Sequence, residues 1–182
     1  TSADIRSVIF NLFNSLGTMP IEDYKLNLEN LTIEEKSTIS KLGIRLGTRF
    51  FYIPNFLKKN AMELNALLWK NFYGNNLSAS YPLPTDGRVS FVTEIKMPNS
   101  YWAAIGYLCI DGFAVRIDMF ERIFFIARQR IKQGPFLESS DLMNPIGCNS
   151  KQLSDLLLFC GFDNIMLENE QRLYLFKEKK VV

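Results

Sequence analysis

The sequence predicts an α+β, helix-dominated fold: N-terminal helices with a small sheet, followed by a winged-helix-like C-terminal portion. Three observations lead there. Apolar residues make up 47% of the 182 positions, enough for one sizeable core or two small ones. They recur at helical spacing in some stretches and alternate in others. After residue 116 the elements run helix, strand, helix, turn, helix and two strands, the layout of a winged helix-turn-helix. The expected division is a helical and small-sheet accessory portion over residues 1–116 and a winged-helix-like portion over residues 117–182.

From Ala3 to Leu16, Ile5, Val8, Ile9, Leu12, Phe13 and Leu16 fall at helical spacing, with Gly17 as the stop. Thr32 and Glu35 form a capping box for a second helix that carries Ile39 and Leu42 on one face and ends at Gly43. From Ile44 to Ile53 the alternation predicts a single strand. Ile44, Leu46, Thr48, Phe50 and Tyr52 lie on one face and Arg45 and Arg49 on the other, and Pro54 ends it. A long helix is predicted from about Asn60 to Phe72, with Met62, Leu64, Ala66, Leu67, Leu68 and Trp69 as a wide apolar face and Gly74 as its stop. Pro82, Pro84 and Asp86-Gly87 mark a loop before a strand from Arg88 to Thr93. A short helix near Ser100 to Ile105 precedes a hairpin, Tyr107 to Ile110 and Phe113 to Ile117, turned at Asp111-Gly112.

In the C-terminal portion, Asp118 and Glu121 are expected to cap a helix running to Gly134. Phe120, Ile123, Phe124, Phe125 and Ile126 make that helix apolar almost all round, so it must be covered on more than one side, as a central core helix or as a partner groove. A strand from Phe136 to Glu138, a brief helix from Ser140 to Asn144, a turn at Pro145 to Gly147 and a helix from Ser150 to Cys160 follow, closed by Gly161. Strands from Asn164 to Leu167 and from Arg172 to Phe176 complete the pattern, joined by the polar tip Glu168 to Gln171.

Composition narrows the chemistry. Twenty-one Lys and Arg against 19 Asp and Glu leave a formal charge of +2, too little to identify a nucleic-acid partner, so any binding face must be local. The chain has no histidine, which removes the commonest general base and metal ligand. No Gly-rich phosphate loop or dinucleotide-binding turn is present. The three cysteines, Cys109, Cys148 and Cys160, lack paired spacing and read as reduced core residues. These readings predict a chain without catalytic residues, cofactor or metal. With no apolar run of roughly 18 residues, the expected location is cytoplasmic and off the membrane.

Two candidate surfaces remain. Arg45 and Arg49, with Lys58 and Lys59 just beyond Pro54, place four cations at one strand end, with Tyr52 or Phe51 near enough to stack a base. The competing reading is a solvated basic edge that discourages strand pairing. On the last helix Ser150, Lys151, Ser154 and Asp155 are predicted to face outward and Leu153, Leu156, Leu157 and Cys160 inward. Only Lys151 among those outward positions is cationic, and Asp155, Glu168 and Glu170 oppose phosphate. Duplex reading, weak single-strand contact and a structural or protein-docking role all stay open for this portion.

Separated pieces also carry a family resemblance over roughly residues 41–162. They are Leu42-Gly43-Ile44-Arg45-Leu46-Gly47, Tyr52-Ile53-Pro54, Leu57-Lys58, Leu67-Leu68-Trp69, Gly106-Tyr107, Gly112, Ala114 to Met119, Glu121-Arg122, Gly147-Cys148, Leu153, Leu157 and Gly161-Phe162. In order and spacing the chain resembles the C-terminal accessory region of superfamily 2 helicases related to the mitochondrial RNA-degradation helicase, in its bacterial branch. The family's ATP-binding motifs belong to motor domains whose signatures are absent from these residues. The resemblance therefore implies an accessory segment of a larger chain, one that helps hold single-stranded RNA or DNA against the motor domains. The alternative is a protein-docking module that packs on those motors or recruits a partner, with little nucleic-acid affinity. Tyr73, before Gly74, stands where relatives are expected to carry histidine.

Overall fold

The structure, a computed structural model, describes residues 3–24, 31–73 and 81–176. The expected stop at Gly74 lies outside them. The fold is α+β, with short three-stranded sheets among more extensive helices. The backbone divides into two compact units, Thr1–Glu121 and Arg122–Val182.

In the first unit, α1 (Ala3–Asn14) buries Ile5, Val8 and Leu12 and leaves Phe10 and Phe13 exposed. β1 (Thr18–Pro20) follows, a strand the sequence does not announce, since it is three residues long and ends on a proline. α2 (Ile33–Lys41) starts on the expected capping box: Thr32 Oγ1 accepts from Glu35 N at 3.2 Å, and Thr32 N donates to Glu35 Oε2 at 2.9 Å. Ile39 is buried, but Leu42, just past the helix, is exposed rather than sharing its face.

The single strand expected over residues 44–53 is instead a hairpin. β2 (Arg45–Leu46) and β3 (Phe50–Tyr52) pair antiparallel, Arg45 opposite Tyr52 and Leu46 opposite Phe51, with β3 between β1 and β2. The chain reverses at Gly47 to Arg49, which cancels the predicted alternation of faces and buries Phe51 completely. The cause is remote in sequence. Glu121 Oε1 accepts from the backbone N–H groups of Arg49 and Phe50, both at 2.7 Å, and Oε2 from that of Thr48 at 2.6 Å. Gly47 is required beside it, because a Cβ there would lie 2.5 Å from Glu121 Cδ.

α3 (Lys59–Tyr73) buries Met62, Asn65, Ala66 and Trp69, and leaves Leu64, Leu67, Phe72 and Tyr73 exposed, so two of the six residues of the predicted apolar face, Leu64 and Leu67, point to solvent. Asn65 Nδ2 donates to the carbonyls of Leu16 and Ala104, each at 3.0 Å, satisfying a buried amide while tying three segments together. β4 (Ser90–Val92), α4 (Asn99–Ala104), β5 (Tyr107–Ile110) and β6 (Phe113–Arg116) follow, with sheet order β4-β6-β5. The β5–β6 turn has the expected chemistry, with Asp111 and Gly112 at φ 47° and 79°.

α5 (Ile117–Ile131) begins one residue earlier than expected and crosses the boundary between units. Asp118 lies inside its first turn and is held by Arg116, at 2.7 and 3.0 Å, rather than capping the helix from outside. Glu121 likewise serves the Thr48–Phe50 turn instead of its own helix end. The second unit adds β7 (Phe136–Leu137), α6 (Ser140–Met143), a 3-10 turn at Asn144–Ile146, α7 (Ser150–Phe159), β8 (Phe162–Met166) and β9 (Arg172–Phe176), in the element order expected from sequence. β9 lies between β7 and β8, both antiparallel to it. Phe124, Phe136, Phe162 and Tyr174 pack as an aromatic cluster within this unit, where Leu142, Leu153, Leu156 and Leu157 are also buried.

Candidate nucleic-acid interface

The β2–β3 hairpin rearranges the first candidate surface. Arg45 sits exposed on edge strand β2, opposite Tyr52, while Arg49 is carried on the tight turn that Glu121 holds. Arg49 Nη1 pairs with Glu22 Oε1 at 2.5 Å. Lys58 is exposed after the 3-10 turn Pro54–Leu57, and Lys59 opens α3 with its ammonium 3.4 Å from Asp86. Two of the four predicted cations thus have carboxylate partners, whereas Arg45 and Lys58 have no ion pair among the described residues. No local signal marked Glu22 or Asp86 as partners, because each lies 27 residues from its cation.

The stacking residues separate as well. Phe51 has no exposed surface and belongs to the core with Val8, Leu12 and Ile44, so it is no platform for a base. Tyr52 is half-buried, and burial, followed by the carboxylates of Asp118 and Glu121, pushes its hydroxyl above the usual phenol range. Those carboxylates oppose a phosphate beside Tyr52.

In the second unit Lys151 is exposed near the start of α7. Ser154 is buried, contrary to the outward placement expected of it, and accepts from Asn164 Nδ2 at 3.0 Å. Ser150 is also inside a network: its hydroxyl donates to Glu138 at 2.6 Å and accepts from Arg172 Nε at 3.0 Å. Arg172 reaches on to Asn164 at 3.3 Å. These bonds fasten α7 to the sheet and consume polar groups that sequence placed on an open face. Asn149 and Gln152 form a capping box that the sequence reading missed, although the Asn-x-x-Gln spacing carries the signal.

Among the described residues no group of three or more cysteine, aspartate and glutamate side chains is placed to hold a metal ion, and no helix is long and apolar enough to cross a membrane. Sequence reasoning also missed a cavity of about 350 Å³ in the first unit, lined from α1, β1, α3 and α4. Compared with known proteins, the chain matches no family model, no curated protein and no solved structure.

Proposed function

We propose that this chain is a non-catalytic accessory region of a larger ATP-dependent helicase and contributes single-stranded nucleic-acid binding. The observation that carries the reading is the exposed pair Arg45 and Lys58, which have no carboxylate partner among the described residues and sit at the two ends of one short segment, an edge strand and the turn after its neighbour. Free cations on an exposed edge position a phosphate backbone without reading bases. In this reading the partner is single-stranded RNA or DNA, the parent's motor domains supply ATP chemistry, this segment needs no cofactor, and the setting is cytoplasmic. A labelled single-stranded oligonucleotide titrated with the pure chain at low salt is expected to gain fluorescence anisotropy. Absence of any binding at low salt overturns the reading.

A second reading has its own support. The outward face of α3 exposes Leu64, Leu67 and Phe72, spaced three and five residues apart. Exposed apolar side chains of this kind fit a protein-docking module that packs on the motor domains. Replacing Leu64 and Leu67 by serine is then expected to weaken association with the motor domains and to leave oligonucleotide binding unchanged.

A further inference from the structure

The cavity missed by sequence reasoning has a composition that points to a ligand. It lies within the first unit, where the end of α1 and β1 meet α3 and α4, and among the described residues no charged side chain lines it. Buried Trp69 and Tyr73, which is two-thirds exposed, both line it. Their rings are 5.6 Å apart and inclined by 34°. Asn14 and Asn99 add carboxamides, each offering a donor and an acceptor. Ser100 accepts from Trp69 Nε1 at 3.3 Å and keeps its own hydroxyl proton to donate.

A lining without charged side chains among the described residues offers a phosphate no compensating cation inside the cavity. An aromatic face bordered by amides and hydroxyls suits a flat, neutral group with donors and acceptors on its edge. The volume is at the small end for ligand sites, suited to one such ring system. Two cationic residues lie near the cavity along the chain. Pro20 lines the cavity, and the next residue, Ile21, donates its N–H to Arg49 O at 2.8 Å, so the Arg49 turn abuts the strand that borders the cavity. Lys70 follows Trp69, its ammonium 5.0 Å from the Tyr81 ring centroid.

We propose that this cavity receives one unstacked nucleobase of a bound single strand, stacked against Tyr73 and hydrogen-bonded at its edge by Asn14 and Asn99. The proposal rests on the single-strand reading above and gives it a base-contacting site apart from Tyr52. Stacking of this kind tolerates any base, and the two carboxamides add a modest preference among bases.

The test compares a labelled oligo-uridine with an abasic strand of equal length and charge, both titrated into the intact chain. The abasic strand is expected to bind about tenfold more weakly. Tyr73→Ala is expected to weaken oligo-uridine binding by a similar factor, to leave abasic binding unchanged and to leave the salt dependence of both unchanged. Because Tyr73 is exposed, that variant keeps the fold, and Asn99→Ala, also at an exposed position, provides an independent second variant with a smaller loss. Equal affinity for the two strands overturns the base site while leaving single-strand binding intact. Failure of both strands to bind at low salt overturns both readings.

Discussion

Glu121 is seven per cent exposed and spends its carboxylate on three consecutive backbone N–H groups, those of Thr48, Arg49 and Phe50. Hydrogen bonds to an ionised acceptor are the stronger kind, and losing one inside a protein leaves a donor unpaired. Glu121→Gln keeps the shape but replaces one accepting oxygen with an NH₂ group aimed at N–H donors. It is expected to lower unfolding free energy by about 2–3 kcal/mol, read as a shift in urea midpoint at constant slope. A change under about 0.5 kcal/mol would show that the turn closes without the carboxylate. A residue-scale test of a different kind concerns Cys148, whose thiol is pushed up to about 11 by burial. The proton therefore stays on sulfur until well above neutral pH, and thiolate, the reactive form, is scarce in the folded chain. Iodoacetamide at pH 8 is expected to alkylate Cys148 several-fold more slowly in the native protein than in urea; equal rates would contradict its shielding.

At the scale of elements, helices with their own start and stop signals were legible. Thr32-x-x-Glu35 was read as the reciprocal cap it forms, whereas Asn149-x-x-Gln152 forms the same cap and was passed over; Asn149→Ala is expected to cost about 1 kcal/mol in a chemical denaturation series, and an unchanged midpoint would mean that α7 needs no cap. The β5–β6 hairpin was legible for the same reason, since Asp111-Gly112 contains its own turn chemistry. The β2–β3 hairpin was not, because its turn is organised by Glu121, 71 to 73 residues along the chain. Alternation from Ile44 to Ile53 fits a continuous strand equally well until that contact is known. On α3 the difficulty is different: Leu64, Leu67 and Leu68 are as apolar as Met62, Ala66 and Trp69, and hydrophobicity alone does not rank two apolar faces. The candidate basic site suffered from both limits. Arg45 and Lys58 were correctly read as exposed, but Glu22 and Asp86, which pair with Arg49 and Lys59, come from elsewhere in the chain, as do the walls of the cavity.

For the whole molecule, a formal charge of +2 provides little general attraction for a polyanion, so binding depends on how many local cations are free. For single strands, log affinity falls with log salt by about 0.7 per phosphate neutralised. If only Arg45 and Lys58 engage the strand, a slope of about −1.4 is expected; if Arg49 and Lys59 exchange their carboxylates for phosphates, it approaches about −2.8. The ion pairs with Glu22 and Asp86 favour the shallower value, since breaking them offsets part of each new contact. Reversing two charges together, Arg45→Glu with Lys58→Glu, is expected to weaken binding to oligonucleotides of every sequence alike, because backbone contacts carry no sequence information. Lys151→Ala is expected to change affinity less, with Asp155, Glu168 and Glu170 already opposing its field in the sequence around it. Anisotropy titrations across a salt series measure all three quantities. Binding that survives the double reversal and disappears with Lys151→Ala would move the strand from the β2–β3 edge to α7.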